Sequence, residues 1–183
     1  MERKVLAFDP HLCTGCMYCI TACSTHNEGR TSLSAARLRM IRHEGHALTR
    51  AREKDELIFT LVMCRQCEDP VCSAVCPTGA ITRDSSIGAM VIEREVCTGC
   101  GECTTSCPFG AISFSENSNG EARAFKCELC KGDPLCVKFC YAQALTYVPA
   151  RDVTDPERPE TAVNGVAPLA EKGAVIPDRG KQQ

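Results

Sequence analysis

Along this 183-residue chain, apolar residues gather in short runs rather than in long periodic stretches. Residues 37–42 alternate charged and apolar side chains and 57–63 form a β-rich run, which together predict a hairpin. Residues 80–82 and 90–92 flank a turn at 83–88, and 111–114 and 122–125 flank another at 117–120, giving two further hairpin signals. No stretch approaches 18 consecutive apolar residues, so the pattern contains no membrane span. The first 25 residues hold no apolar run of secretory type, and none follows Arg3-Lys4, so neither a signal peptide nor a twin-arginine signal is expected.

Composition adds what the pattern lacks. The chain has 16 cysteines, no Trp, and only six Phe and three Tyr, so bulky aromatics cannot supply much of a core. Disulfides or metal must replace that packing. Without a secretory signal, a reducing, cytoplasmic setting and metal ligation are expected. The cysteines fall into four quartets: Cys13, Cys16, Cys19, Cys23; Cys64, Cys67, Cys72, Cys76; Cys97, Cys100, Cys103, Cys107; and Cys127, Cys130, Cys136, Cys140. Zinc also accepts four thiolates, but its sites usually join two separated C-x2-C knuckles around one ion. Three closely spaced cysteines with a fourth three residues on, followed by Pro in two of the quartets (Pro77 and Pro108), are instead the bacterial [4Fe–4S] run. Four [4Fe–4S] clusters are therefore expected. The quartets also repeat: CTGCMYCITAC returns as CTGCGECTTSC, and the second and fourth share an Asp-Pro before their third cysteine. The chain reads as a duplicated unit of α+β class, two bacterial-ferredoxin-like halves packed around their clusters.

In such runs the fourth cysteine ligates the other cluster of a pair. A short helix after the third cysteine carries the fourth away by only about 6 Å, so paired clusters lie close. The second and third quartets stand 20 residues apart and both end Cys-Pro, which favours a nested plan with the first and fourth quartets closing around them. Tandem pairing would need linkers of 40 and 19 residues in its two halves.

This cysteine pattern resembles the four-cluster ferredoxin-like subunits that serve molybdenum and tungsten pterin enzymes, including the DMSO reductase and formate dehydrogenase families, over about residues 3–149. The resemblance implies nested ligand sets. Cluster a takes Cys13, Cys16, Cys19 and Cys140; cluster b takes Cys127, Cys130, Cys136 and Cys23; cluster c takes Cys64, Cys67, Cys72 and Cys107; cluster d takes Cys97, Cys100, Cys103 and Cys76. The segment CSTHNEGRTSLSAARLRMIR is similar to the C-S-x-x-H-E-G…R-I-x-V stretch of iron–sulfur subunits paired with tungsten aldehyde oxidoreductases, although His26 stands one position early and Leu38-Arg39-Met40 replaces the Ile-centred strand. It implies a non-catalytic electron-transfer subunit beside a tungsten or molybdenum pterin catalytic subunit, with a FAD/NAD-binding subunit as second partner and self-association also open. The alternatives are a subunit of a DMSO-reductase-type, formate dehydrogenase or hydrogenase complex, or a free polyferredoxin.

On this reading residues 1–148 form the four-cluster domain, with an inner unit at about 60–115, an outer unit of 1–30 plus 116–148, and a basic hairpin insertion at 30–60. Residues 149–183 hold five of the ten prolines and no cysteine, a disordered or partner-wrapping tail. Residues 30–54 carry seven Arg or Lys against Glu44 and Glu53 and read as a solvated face or a dock for an acidic partner. The formal charge of −2 becomes about −10 once four clusters of about −2 each are counted, which disfavours nucleic acid. With every thiol committed, no nucleophile remains. Among the histidines His26, close after Cys23, is the expected tuner of a cluster by hydrogen bonding. Gly15 and Gly99 are expected to let the backbone approach the cube.

Overall fold

The computed structural model describes residues 2–43, 58–116 and 120–153. Within them the strands pair only as two-stranded antiparallel ribbons, with short helices between. Three ribbons are the hairpins that the polar–apolar pattern predicts. Strand β2 (Arg39–His43) pairs with β3 (Ile58–Val62), β4 (Ile81–Arg83) with β5 (Met90–Ile92), and β6 (Ser113–Glu116) with β7 (Ala122–Phe125). The fourth ribbon has no local signal in the sequence. Strand β1 (Lys4–Phe8) runs antiparallel to β8 (Leu145–Pro149), Lys4 opposite Pro149 and Phe8 opposite Leu145. It brings the two ends of the domain together and buries Val5, Leu6 and Leu145.

Helix α1 (Tyr18–Glu28) follows the first cysteine loop and stops at Gly29, whose left-handed backbone returns its N–H to the Thr25 carbonyl. The other helices are α2 (Val71–Ala74), α3 (Glu102–Ser106) and α4 (Leu135–Lys138). Each of these single-turn helices contains the third cysteine of its quartet, and the fourth lies just past its end. Helix α1 packs on α4, and α2 packs on α3.

Two cores result, and cysteines belong to both. One gathers Leu6, Ile20, Leu38, Leu61, Met63 and Leu129 around Cys19, Cys23, Cys127 and Cys136. The other gathers Ile81, Met90, Ile92, Ile112 and Ala124 around Cys103, with Cys72, Cys76, Cys97 and Cys107 against it. Leu38, Leu61 and Met63 place the β2–β3 hairpin inside the first core, so it is a structural wall as well as an insertion.

The solvated-face reading of the basic segment fits Arg30, Arg39 and Arg42, which are exposed, and needs correction at Arg37. The Arg37 side chain is 12% exposed, donates from Nη1 to Glu128 Oε2 at 2.9 Å and lies 3.9 Å from Glu28 Oε1. Arg39 donates to the Gly110 carbonyl. Half-buried carboxylates hold Arg37 because its guanidinium fork matches them better than water does. Residues 44–54 of that segment, His46 among them, and tail residues 154–183 lie outside the described residues.

Candidate iron–sulfur centres

Each quartet begins with a tight turn whose geometry repeats. The residue before the second cysteine has a left-handed backbone in all four: Gly15 (φ 69°), Gln66 (55°), Gly99 (72°) and Leu129 (58°). Turns of this kind point successive N–H groups inward and make a nest for an anion. Glycine adopts the conformation freely, whereas Gln66 and Leu129 carry a cost of about 1–2 kcal/mol each. Both are fully buried, so packing offsets that cost. The glycines have a second reason. A Cβ on Gly15 would stand 2.3 Å from the Phe59 ring, and one on Gly99 would stand 2.4 Å from the Ala122 carbonyl oxygen. Close approach of the hairpins, rather than of a cube alone, requires glycine there.

The thiols report their neighbours. Burial pushes the Cys13 thiol up against the pull of the Gly15 N–H, and Cys16 and Cys140 add to the rise. Burial takes Cys19 to about 12, with Cys13, Cys16 and Cys140 contributing. Tyr141, next to Cys140, shares a 2.8 Å hydrogen bond with Thr14 in the first loop and meets Tyr18 edge-on at 6.1 Å between ring centres. Burial raises Cys136, then Cys127, Cys23, Cys130 and Cys19 do so by like charge. Cys127 is pushed by burial to about 12, opposed by the Leu129 N–H, with Cys64, Lys126 and Cys23 nearby. Cys72 is raised by burial and by Cys64 and Cys107, and eased by Lys126. Cys76 lines one pocket with Cys97, Cys100 and Cys103, closed by Ile81, Ile92, Phe114 and Ala124. Burial acts upward on the Cys76 thiol, but the Thr78 hydroxyl and the N–H groups of Thr78, Ala80 and Ile81 outweigh it and lower its pKa. A thiolate is thus stabilised before any metal is considered.

These donors fit iron–sulfur clusters. Every donor is a cysteine, and sulfurs from two quartets act on one another, as the bacterial [4Fe–4S] arrangement requires.

The expected tuner at Cys23 is corrected. His26 is exposed on α1, while Cys23 Sγ accepts from the Arg37 backbone N–H at 3.2 Å and from Asn27 Nδ2 at 3.6 Å. Both residues lie within one helical turn of Cys23, but His26 stays in solvent while Asn27 reaches the sulfur. Two further polar residues, Gln66 and Lys126, are buried beside cysteines and were not singled out by pattern. Their positions, inside the second C-x2-C loop and directly before Cys127, were the available signal.

Residues 56–149 match the 4Fe-4S dicluster domain family. The chain belongs to that family, whose ferredoxin-like domain takes in the second, third and fourth quartets. It is 36% identical to the putative electron transport protein YsaA of Escherichia coli (strain K12), covering 79% of this chain and 88% of that protein. It is 34% identical to the beta subunit of the NADH-dependent phenylglyoxylate dehydrogenase of Aromatoleum evansii, over 82% of this chain but only 31% of that longer protein. Formate hydrogenlyase subunit 2 of Escherichia coli (strain K12) is 32% identical over 84% of this chain and 85% of its own length. Iron–sulfur electron transfer is the theme of this family. No helix among the described residues is long and apolar enough to cross a membrane.

Proposed function

We propose that the chain is the electron-transfer subunit of a cytoplasmic oxidoreductase complex, joining a tungsten or molybdenum pterin aldehyde oxidoreductase subunit to a flavin/nicotinamide or other acceptor subunit. Four bound [4Fe–4S] clusters would supply one-electron relay, and substrate chemistry would belong to the partner. The observation that carries the reading is the company of the thiols: Cys140 acts on the first quartet, Cys23 on the fourth, Cys107 on the second, and Cys76 lines the third's pocket. It supports the nested sets: Cys13, Cys16, Cys19, Cys140; Cys127, Cys130, Cys136, Cys23; Cys64, Cys67, Cys72, Cys107; Cys97, Cys100, Cys103, Cys76. The helix pairs α1–α4 and α2–α3 agree with it, and we extend the reading to an outer unit, an inner unit and an inserted hairpin. A linear order of the sets is favoured by like charge acting between them, Cys19 on Cys136 and Cys64 on Cys127. Cys16 and Cys100 are exposed, one in each terminal set, where an electron would enter or leave.

The tungsten assignment rests on the segment after Cys23, and the nicotinamide partner is favoured by the NADH-dependent relative. Formate hydrogenlyase subunit 2, matched along most of its length, favours a second reading, an iron–sulfur subunit of a formate or hydrogenase complex. Anaerobic native purification with metal analysis separates them. About 16 iron per chain, four per cluster, with tungsten in a large co-purifying subunit, supports the first. Nickel in that subunit, or molybdenum in one that oxidises formate rather than an aldehyde, moves the chain to the second, and 16 iron with no partner makes it a free polyferredoxin.

A further inference from the structure

Lys126 is 1% exposed. Its Nζ donates to the Met90 carbonyl on β5 and to the Cys127 carbonyl at 3.1 Å, and among the described residues neither acceptor is a carboxylate. An ammonium withdrawn from water is costly unless negative charge nearby compensates it. Gln66 completes the knot: its Nε2 donates to the same Cys127 carbonyl at 2.9 Å, and its Oε1 accepts from the Met90 N–H at 2.8 Å. The second cysteine loop, β5 and the fourth cysteine loop are therefore pinned at one buried point, where the two cores meet. The charge of Lys126 acts on both Cys72 and Cys127, easing the rise that burial imposes on each thiol. Those two thiols belong to different ligand sets, one in the inner pair and one in the outer.

We propose that Lys126 is a redox-positioning residue: a buried cation at the crossing between the two halves that raises the reduction potentials of the two central clusters, those held through Cys72 and Cys127. The inference rests on the four-cluster reading. Each reduction adds one electron, and hence one negative charge, to an already anionic cluster. A fixed positive charge in a low-dielectric interior favours that reduced form, and net charge and hydrogen bonding set such potentials. On the linear order proposed above, the terminal sets, those of Cys16 and Cys100, stand farther from Lys126 and receive less of the effect.

The test is EPR-monitored reduction of the full-length, iron-loaded chain by dithionite at stepped potentials. Wild type is compared with Lys126→Met, Lys126→Gln and Lys126→Arg, and iron content is measured alongside. Removing the charge by either Lys126→Met or Lys126→Gln is expected to cut the reduced-to-oxidised ratio of two centres about tenfold at a fixed potential, about 59 mV for a one-electron couple. The other two centres should hold, and Lys126→Arg should stay near wild type. Should Lys126→Met fail to load iron, Lys126→Gln against Lys126→Arg decides. Unchanged potentials, an equal shift in all four centres, or native behaviour of Lys126→Gln would overturn the proposal. So would loss of iron from both uncharged variants with Lys126→Arg intact, which would make the lysine structural. Fewer than four reducible centres in wild type would instead count against the four-cluster reading.

Discussion

Glycine at the cysteine turns shows how much one hydrogen atom decides. Gly15, Gly99 and Gly101 all have positive φ, but their surroundings differ. A Cβ on Gly99 meets a backbone carbonyl, one on Gly15 meets the far edge of a side-chain ring, which can shift more readily than backbone, and one on Gly101 meets nothing within 4 Å. Substitution by Ala should therefore destabilise in the order Gly99, Gly15, Gly101. Gly101→Ala is expected to cost about 1–2 kcal/mol from the left-handed backbone alone, and Gly99→Ala about 1–3 kcal/mol more from overpacking. Thermal unfolding of the iron-loaded variants measures the ranking, and equal losses at all three would show that backbone conformation alone matters. At the same scale, Gln66 and Leu129 hold the left-handed place without being glycine. Their spacing within C-x2-C was legible, but their φ was not, because burial rather than local preference holds it.

Helices α2, α3 and α4 are far too short to stand alone in water. Their role is to place a third cysteine on one turn and a fourth beyond it, facing the partner helix. The nested sets make a prediction that single substitutions do not isolate. Cys140→Ser and Cys13→Ser together should cost no more iron than either alone, since both would strip the same cluster. Cys140→Ser with Cys127→Ser should cost about twice as much, up to about eight iron atoms per chain. If the first pair loses twice the iron and the second does not, each quartet serves its own cluster and nesting fails. The hairpins were legible because their partners lie close along the chain. The β1–β8 ribbon was not, since two ordinary apolar strands separated by the whole domain carry no local mark of each other.

For the whole molecule, the chief fact is that cysteines occupy core positions that aromatics fill elsewhere. Both cores are organised around sulfur, and the ion-paired links Arg37–Glu128 and Arg94–Glu28 join segments without adding apolar mass. Stripping the iron with an anaerobic chelator should therefore unfold the chain cooperatively, because cluster ligation is folding free energy. Far-UV circular dichroism would record the loss of the ribbons, and a retained spectrum in iron-free protein would show that the apolar contacts suffice.

The sequence by itself determined the chemistry and the local pieces. Four sulfur quartets of bacterial cluster spacing, the α+β class and three hairpins depend on residues a few positions apart, where spacing is geometry. Tertiary structure alone decided the rest: Asn27 and the Arg37 N–H rather than His26 on the Cys23 sulfur, Arg37 clamped between carboxylates rather than solvated, hairpins crowding Gly15 and Gly99, and the closing β1–β8 ribbon. It also decided that Lys126 and Gln66 are buried where the halves meet. Most of these turn on contacts between residues tens of positions apart. Such contacts depend on how the whole chain fills its two cores, and no periodicity along the chain records them.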